Sequence, residues 1–432
     1  MTEREWREAI DMRSSLVSVG LVVVSGALLR YWNLRHGPVA PFETEIVDPV
    51  LRLIHTGSYR PEALTRPTLP IYLHALVAIV HFIVGAIAGV WRSVAEFGPG
   101  QVVAWGRSFS ALVGTAVVFL VYQIGMRWGA RHALLAAGLM AVTPTHVAVS
   151  RQIGGGSPLT FFSALSLLLS LIAIERGGRR RFMIAGLAAG LAAASHYAGA
   201  IVVVVPLVAA WMTTSDEGSR VSRAAAVSLA ALAAFVLATP LSVRDLPAFL
   251  NGFAIAASPT GPGMAGEVEL LQQLLWALQW PGVVLVFAGL SLGIVRAITG
   301  PGHTRWTLLV SFPVVYFALV AWHGATSDTI LLPLLPATTV IAAIAVISGV
   351  SLLRRFDIPR AARTALIAAL TVVAVLPPAV FSIELVRQAG RESAAAGFKT
   401  PRGIRHQADH GRLEPAITGL EPGVNARADR SR

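Results

Sequence analysis

Two adjoining stretches decide the fold: the apolar LTFFSALSLLLSLIAI (residues 159–174) and the arginine-rich ERGGRRR that follows it (residues 175–181). The first is close to the length of about 20 apolar residues that crosses a bilayer core as a helix. The same alternation of apolar run and arginine-rich connector repeats along the chain. Including this one, the apolar runs are residues 16–31, 109–126, 134–149, 159–174, 182–212, 224–241, 283–298, 307–322, 330–350 and 365–381.

These runs predict an all-α polytopic membrane protein. Only helices and closed β-barrels satisfy their backbone hydrogen bonds inside a bilayer, and the runs lack the two-residue alternation of a barrel strand. The composition agrees, since 55% of the residues are hydrophobic, 13% are charged and the mean hydropathy is +0.66. A soluble domain carries about 25% charged residues.

The net charge of +12 does not indicate a nucleic-acid partner. Most basic residues lie between the apolar runs, where they orient helices and contact lipid headgroups. The chain contains no cysteine, which excludes disulfides and thiolate metal sites.

Arginines in the connectors predict the orientation. By the positive-inside rule, five connectors lie in the cytoplasm. Residues 182–212 must then cross twice, turning near residues 195–197, because the arginines that flank this run are on the same side. The five connectors carry Arg127 and Arg131; Arg176, Arg179, Arg180 and Arg181; Arg220 and Arg223; Arg296 and Arg305; and Arg354, Arg355, Arg360 and Arg363.

One further run, residues 69–91, is long enough to span but breaks this parity. A single crossing would put Arg127 and Arg131 outside. We therefore expect the run to lie in the interface or to dip in and return, and His74 and His81 fit a wetter position. This gives about eleven spans, in a range of roughly 10–13, with the N-terminus inside and the C-terminus outside. A spanning run, giving about twelve, is the alternative.

The predicted organisation has three parts. Residues 1–14 are a cytoplasmic N-terminus without a signal-peptide pattern, and residues 15–383 form the transmembrane domain. Within that domain, residues 34–108 form an extracytoplasmic and interfacial loop. Residues 384–432 are a basic extracytoplasmic tail that we expect to be disordered, because it is polar and rich in Arg, Gly and Pro.

Candidate functional residues concentrate in the first outer loop. Glu43 and Glu45 lie directly beside the predicted membrane surface. Asp48 follows three residues after Glu45, so the two share a face of a predicted short helix at residues 45–55. For Asp48, an acid that complements the helix dipole in a first turn is an equally good interpretation.

A second polar set occupies residues 150–158, which include three consecutive glycines. These glycines are compatible with an anion-binding nest or with a plain flexible turn. Arg151 lies at an outer span end, against the positive-inside trend. It either extends to the interface or holds a phosphate or carboxylate.

The order and spacing of several segments resemble those of the polyprenyl-phosphate-sugar-dependent glycosyltransferases of the GT-C fold. That group includes protein O-mannosyltransferases, of the glycosyltransferase family 39 type, and lipid A aminoarabinose transferases. The similarity runs from about residue 16 to residue 345. No single motif is specific. The matching segments are residues 42–45, 50–53, 56–59, 66–73, 106–122, 150–151, 158–162, 185–187, 196–197 and 331–336.

The chain also departs from the family at polar positions. Thr44 stands where the resemblance implies the catalytic Asp of an acidic pair, and Gly156 falls at about the position of a second acid. His196 replaces a common lysine, and Thr329 and Ile330 replace an Arg-Tyr pair. The acidic motifs are therefore degenerate while the scaffold is retained.

The resemblance implies a membrane glycosyltransferase that moves a sugar from a polyprenyl-phosphate donor to an extracytoplasmic glycan, lipid or protein, with inversion. Its partners would be the lipid-linked sugar and membrane lipids of a bacterial or archaeal plasma membrane, without nucleic acid. No cofactor is assigned, although a divalent metal is an option for stabilising the leaving phosphate. The implied catalytic base is Glu45 or Glu43, and the implied substrate or phosphate contacts are Arg66, Arg107, Arg151, His196 and Tyr72.

Two other functions remain open from the sequence. A catalytically degenerate relative would bind lipid-linked sugar or act as a scaffold partner, as the replacements at Thr44 and Gly156 suggest. An amphiphile transporter or flippase is the third option. The absence of an evident internal repeat and of ionisable residues deep in most spans counts against it.

Overall fold

The computed structural model describes residues 3–34, 39–58, 64–213, 219–256, 258, 264–300, 302–323, 329–352 and 359–399. These residues form helices joined by turns and loops, with no strand among them. The helices are α1 (Glu3–Tyr31), α2 (Pro41–Thr56), α3 (Leu69–Ile87), α4 (Pro99–Gly125), α5 (Ala130–Val142), α6 (Pro144–Val149), α7 (Gly156–Arg176), α8 (Arg179–Ser195), α9 (Val204–Met212), α10 (Arg220–Ala238), α11 (Leu241–Arg244), α12 (Leu246–Ala256), α13 (Met264–Thr299), α14 (His303–His323), α15 (Leu335–Leu352) and α16 (Arg360–Lys399).

The predicted all-α membrane fold is confirmed. In the described part of the chain, eight helices are long and apolar enough to cross a membrane, and shorter apolar helices accompany them. Large apolar side chains face outward on α1, α3, α10 and α16, whereas the buried core surrounds α7 and α15. An apolar exterior suits a lipid environment, since lipid tails are as apolar as these side chains. The number of about eleven spans stays a prediction.

The cytoplasmic connectors predicted from their arginines meet at one end of the bundle. Arg127, after α4, forms an ion pair with Glu175 at the end of α7. Arg305, at the start of α14, lies 3.8 Å from the same carboxylate and donates to the Arg127 carbonyl at 3.3 Å. Three connectors that the positive-inside rule assigns to one side therefore share one end.

The predicted double crossing of residues 182–212 has its break at the expected position. Helix α8 ends at Ser195, and His196 adopts an extended backbone conformation (φ −161°, ψ 138°). A 3-10 helix, Tyr197–Val203, then leads into α9. Each of the two segments is short, as the length of the run required.

Helices α8 and α10 approach each other through two glycines. A Cβ at Gly186 would lie 2.6 Å from the backbone oxygen of Val227. A Cβ at Gly190 would overlap the backbone oxygen of Ala231. Small residues four positions apart allow such close backbone contact between membrane helices. The two glycines therefore set the close packing of α8 against α10.

Helix α3 lies beside the first turns of α4. The ring of His74 packs edge-on against Phe109 at 5.4 Å between centroids, and His81 lies 4.7 Å from the Trp105 ring. These contacts lie in the first half of α4. Helix α3 is long and apolar enough to span, and the interfacial placement of residues 69–91 stays a prediction. The wetter position expected for the histidines is not observed for His74, which is buried among α3, α4 and the 150–156 segment.

The last helix extends past the predicted boundary at residue 383. Helix α16 continues to Lys399, beyond the start of the expected disordered tail at residue 384. Its final turns contain Ala394, Ala395 and Ala396, and alanine is the strongest helix former. Residues 400–432, where the rest of the predicted tail falls, lie outside the described residues.

Replacing Gly190 with Ala should destabilise the bundle, because its Cβ would meet the α10 backbone and push the two helices apart. Overpacking of this kind costs roughly 1–3 kcal/mol. The matched control is Gly138→Ala in α5, where an added Cβ meets nothing within 4 Å. Thermal unfolding in detergent should show a lower Tm for Gly190→Ala alone. Equal Tm values for the two variants would contradict the packing described.

Candidate functional site

Glu43 is buried at the start of α2 and accepts four hydrogen bonds. Arg107 of α4 donates from Nε to Oε1 at 3.0 Å and from Nη2 to Oε2 at 2.6 Å. The backbone amides of Ile153 and Ala40 donate at 3.0 Å and 2.9 Å. Both carboxylate oxygens are thereby occupied, and the side chain is 0% exposed. Pro41 at the first helical position and a glutamate at the third are typical of a helix N-terminus, so the local sequence sets this geometry.

The surroundings of Glu43 favour its ionised form. Burial by itself would raise the pKa of the carboxyl, but the hydrogen bonds from Arg107, Ile153 and Ala40 and the charge of Arg107 outweigh it and lower the pKa. Hydrogen bonds to the charged form stabilise that form. Glu43 is therefore a fixed anion whose oxygens are engaged by the protein itself, which leaves them no room to accept a substrate proton.

Arg151 is also committed to the protein. Its Nη1 donates to the carbonyls of Leu29, Arg30 and Trp32, at 3.1, 3.1 and 2.6 Å, where α1 ends. Carbonyls at a helix C-terminus lack partners within the helix, and a basic side chain satisfies them. Burial, and then the charge of Arg107, lower the pKa of Arg151 to about 10, so it stays cationic at neutral pH.

Arg30 is a buried residue that the sequence analysis missed. The guanidinium donates to the carbonyls of Gly26, Ala141 and Met140, and its Nη2 lies 2.7 Å from Nδ1 of His146. Arg30 thus connects α1 to the end of α5 and to α6. In the sequence, an arginine at the end of an apolar run looks like an ordinary interfacial anchor, so no local signal marks it.

Glu45 and Arg66, two of the predicted site residues, form an ion pair at the surface. Nη1 of Arg66 is 3.1 Å from Oε2 of Glu45, and the side chains are 55% and 51% exposed. The backbone beside Arg66 is held firmly, because Tyr197 donates its hydroxyl to the Leu64 carbonyl at 2.7 Å and Gly252 of α12 packs flush against that carbonyl. An accessible cation on a fixed backbone is a suitable contact for an anionic ligand.

His196 adjoins this pair. The amide of Ala198 donates to Nδ1 at 3.2 Å, which leaves the proton on Nε2, and Nε2 lies 3.3 Å from Oγ1 of Thr329. Burial, and then the charge of Arg66, lower the pKa of His196 to about 4. The ring is therefore neutral at pH 7. The two positions where the resemblance implies cations meet in this structure as a neutral hydrogen-bonded pair.

The remaining predicted positions lie nearby. Tyr72 is half-buried in the first turn of α3, and its amide donates to the Thr68 carbonyl at 3.2 Å. Gly156, at the position of the implied second acid, is buried, and a Cβ there would overlap Val149 and lie 2.9 Å from Leu332. An aspartate at this position would enter apolar packing, so the glycine is required by its surroundings.

The described residues do not fit a metal centre. They contain no group of three or more His, Asp or Glu side chains placed to hold an ion. Glu43 is engaged by Arg107 and Gly156 has no side chain, so the described residues offer no set of three carboxylates of the kind that divalent cations prefer. No mechanistic step is therefore assigned to a metal.

The predicted site residues thus fall into two groups. Glu43, Arg107 and Arg151 join helices to one another beneath the surface. Glu45 and Arg66 form an exposed ion pair, and His196 lies near Arg66. The first group connects α1, α2 and α4 with the 150–156 segment. The second connects the exposed face of α2 with the segment before α3, the α8–α9 turn and Thr329.

Comparisons with known proteins support the fold. Residues 97–243, about a third of the chain, match the family model described as dolichyl-phosphate-mannose-protein mannosyltransferase. That match begins after the acidic part of the outer loop. A search of curated protein sequences gives no match.

Solved structures extend the similarity to most of the chain. ArnT from Cupriavidus metallidurans, in its apo state, aligns with a TM-score of 0.57 and 17% identity over 89% of this chain and 74% of that protein. AglB, an oligosaccharyltransferase from Archaeoglobus fulgidus in complex with an inhibitory peptide and a dolichol-phosphate, gives 0.60 and 14% over 88% and 56%. A second structure of that oligosaccharyltransferase, with Zn and sulfate, gives 0.55 and 14% over 86% and 53%.

These alignments confirm the predicted GT-C fold. The chain spans about half the length of the archaeal oligosaccharyltransferase and about three quarters of ArnT. At such low identity the likeness concerns the fold, and the activity must be argued from the site.

Replacing Glu43 with Gln should destabilise the protein far more than Glu45→Gln. The first change removes the carboxylate that pairs with the buried charge of Arg107, and breaking a buried ion pair costs roughly 3–5 kcal/mol, whereas breaking an exposed pair costs about 0–1 kcal/mol. The two variants change the same chemical group on the same helix, so each controls for the other. Unfolding in detergent would measure both, and similar losses would refute the buried role of Glu43.

The Glu43 contribution should also depend on pH. Its folded-state pKa is lowered, so the stabilisation should be complete above the unfolded-state value of about 4.3 and be lost as the pH falls through the folded-state value. The Glu43→Gln variant should lack this part of the acid dependence. An unchanged acid limb in the variant would assign it to other carboxyl groups.

Proposed function

We propose that the protein is a membrane glycosyltransferase that moves a sugar from a polyprenyl-phosphate donor to a hydroxyl of an extracytoplasmic acceptor, with inversion. The observation that carries the proposal is the accessible ion pair of Glu45 and Arg66 in a GT-C fold, on the face that the arginine pattern predicts to be extracytoplasmic. A carboxylate next to a cation beside a membrane surface provides the two functions that this reaction needs: proton acceptance and stabilisation of the leaving phosphate.

In the proposed reaction, the acceptor oxygen forms a bond to the anomeric carbon as the bond from that carbon to the phosphate oxygen breaks. The proton of the acceptor hydroxyl goes to a carboxylate on the exposed face of α2. The polyprenyl phosphate leaves with its negative charge next to Arg66. Arg107 and Arg151 take no direct part, since the protein already engages both.

Lipid phosphates bound in two of the similar solved structures are consistent with this donor class. One ArnT structure, with a TM-score of 0.57 at 16% identity, is bound to undecaprenyl phosphate, and the AglB structure holds a dolichol-phosphate. Both carriers join a long apolar chain to a phosphate. A surface arginine beside apolar helices suits such an amphiphile.

A binding or scaffold role is the second candidate. It is favoured by the neutral pair of His196 and Thr329 and by the apolar packing around Gly156, which reduce the polar groups at the site. Transfer assays separate the two candidates, since a scaffold would bind donor without turnover.

Arg66→Gln should raise the KM for the donor about tenfold in transfer assays with a panel of radiolabelled polyprenyl-phosphate sugars. The loss of one charge-assisted hydrogen bond costs roughly 1.5–3 kcal/mol, and solvent exposure places Arg66 at the low end. Arg244→Gln, at the exposed arginine that ends α11, is the matched control. Donor affinity that is equal in both variants would place the phosphate elsewhere.

Cysteine labelling should find the site on the outer side. The chain has no cysteine, so Thr44→Cys on α2 and Ser351→Cys at the end of α15 each introduce a single exposed thiol. An impermeant reagent added outside should label the first and leave the second. Labelling of Thr44→Cys from the cytoplasm alone would overturn the proposed location of the site.

A further inference from the structure

The exposed face of α2 carries a second carboxylate, that of Asp48, to which the proposed reaction assigns no role. Thr44, Glu45, Asp48 and Arg52 are exposed, whereas Glu43 on the opposite face is buried. Residues at spacings of three and four lie about 5–6 Å apart between Cβ atoms on a helix surface. Asp48 is therefore one turn from Glu45, the residue that contacts Arg66.

The carboxylates of α2 differ in what they already bind. Glu43 has both oxygens occupied by Arg107 and two backbone amides. Glu45 has one oxygen 3.1 Å from Arg66. Asp48 takes part in none of the hydrogen bonds or ion pairs formed within the described ranges of the chain. Among the described residues, nothing therefore occupies its lone pairs, which suits a group that accepts a proton from a substrate.

Helix stability does not explain Asp48. An acidic residue complements the helix dipole within the first turn, and Asp48 lies more than two turns into α2, which begins at Pro41. A helix at residues 45–55, as predicted from the sequence, would have placed Asp48 in the first turn. Because α2 begins at Pro41, Asp48 lies beyond its first turn. A pairing of Asp48 with Arg52, four residues later, is absent from the ion pairs between described residues.

We propose that Asp48 is the general base of the reaction and that Glu45 is a positioning residue that holds Arg66 ready for the donor phosphate. This assignment rests on the proposed function. The Asp48 carboxylate takes the acceptor hydroxyl proton, the acceptor oxygen bonds to the anomeric carbon, and the phosphate leaves toward Arg66. Arrival of the phosphate at Arg66 replaces the contact that Glu45 makes in the free protein.

The test compares four variants with the wild type in proteoliposomes supplied with radiolabelled polyprenyl-phosphate sugars: Asp48→Asn, Asp48→Glu, Glu45→Gln and Glu384→Gln. The last changes an exposed acid that lies 3.8 Å from Arg391 on α16, and it serves as the matched control. Size-exclusion profiles verify folding, which the exposure of Asp48 should leave intact. Rates are measured over donor concentration and pH.

Asp48→Asn should lower kcat about 10²–10⁴-fold, the usual cost of losing general-base catalysis, with little change in donor KM. The acid limb of the kcat profile should disappear with it, and Asp48→Glu should restore part of the rate. Glu45→Gln should act mainly on donor KM. Glu384→Gln should resemble the wild type.

Two results would overturn the assignment in different ways. Wild-type transfer that survives Asp48→Asn but falls with Glu45→Gln would make Glu45 the base and leave the proposed function standing. Wild-type protein that binds a donor but transfers no sugar from any member of the panel would overturn the proposed function, and this assignment with it.

Discussion

The outer face of the bundle depends on the buried contact between the Glu43 carboxylate and Arg107, because this contact joins pieces of chain that are far apart in sequence. The same carboxylate fixes the start of α2 and the amide of Ile153. From there, Arg151 connects to the end of α1, and Gly155 packs against the backbone of Ser195. Removing the carboxylate would take away the anion that compensates a buried arginine in a region of low dielectric, which is why so many elements rely on one side chain.

This arrangement divides charge into two layers. The lower layer contains buried arginines whose donors are used by carbonyls and by Glu43, and so these residues shape the site without entering it. The upper layer contains Glu45, Arg66 and Asp48, which are exposed. A rigid lower layer below adaptable surface side chains is what a binding site requires, because the supporting residues keep the reactive ones in place. The neutral His196 makes Arg66 the principal cation of the upper layer.

The fold was predictable because it follows from composition and spacing. Apolar runs and arginine-rich connectors predicted the helices and the break next to His196, and the order of segments predicted the GT-C fold that the solved structures confirm. The candidate site stays a prediction, and the sequence did not show which of its residues are buried and which are exposed. Glu43 and Glu45 are two residues apart, so about 200° of helical rotation separates them and places them on opposite faces. Their roles depend on where α2 begins, and this boundary is four residues earlier than expected.

Contacts between distant parts of the chain explain the residue roles that the sequence did not predict. Arg30 and Arg151 looked like interfacial arginines, since their partners are carbonyls more than a hundred residues away. Gly156 looked like a missing acid, yet the packing of Val149 and Leu332 leaves no space for a side chain. Sequence patterns report periodicity along one element, whereas these roles arise from contacts between elements.

The most direct test of the division into two layers is a structure of the protein with a polyprenyl phosphate bound. The account predicts a phosphate in hydrogen-bond contact with Arg66, with Glu43 still paired to Arg107 and Arg151 still donating to the end of α1. A phosphate bound by Arg107 or Arg151, with the Glu43 pair broken, would contradict it.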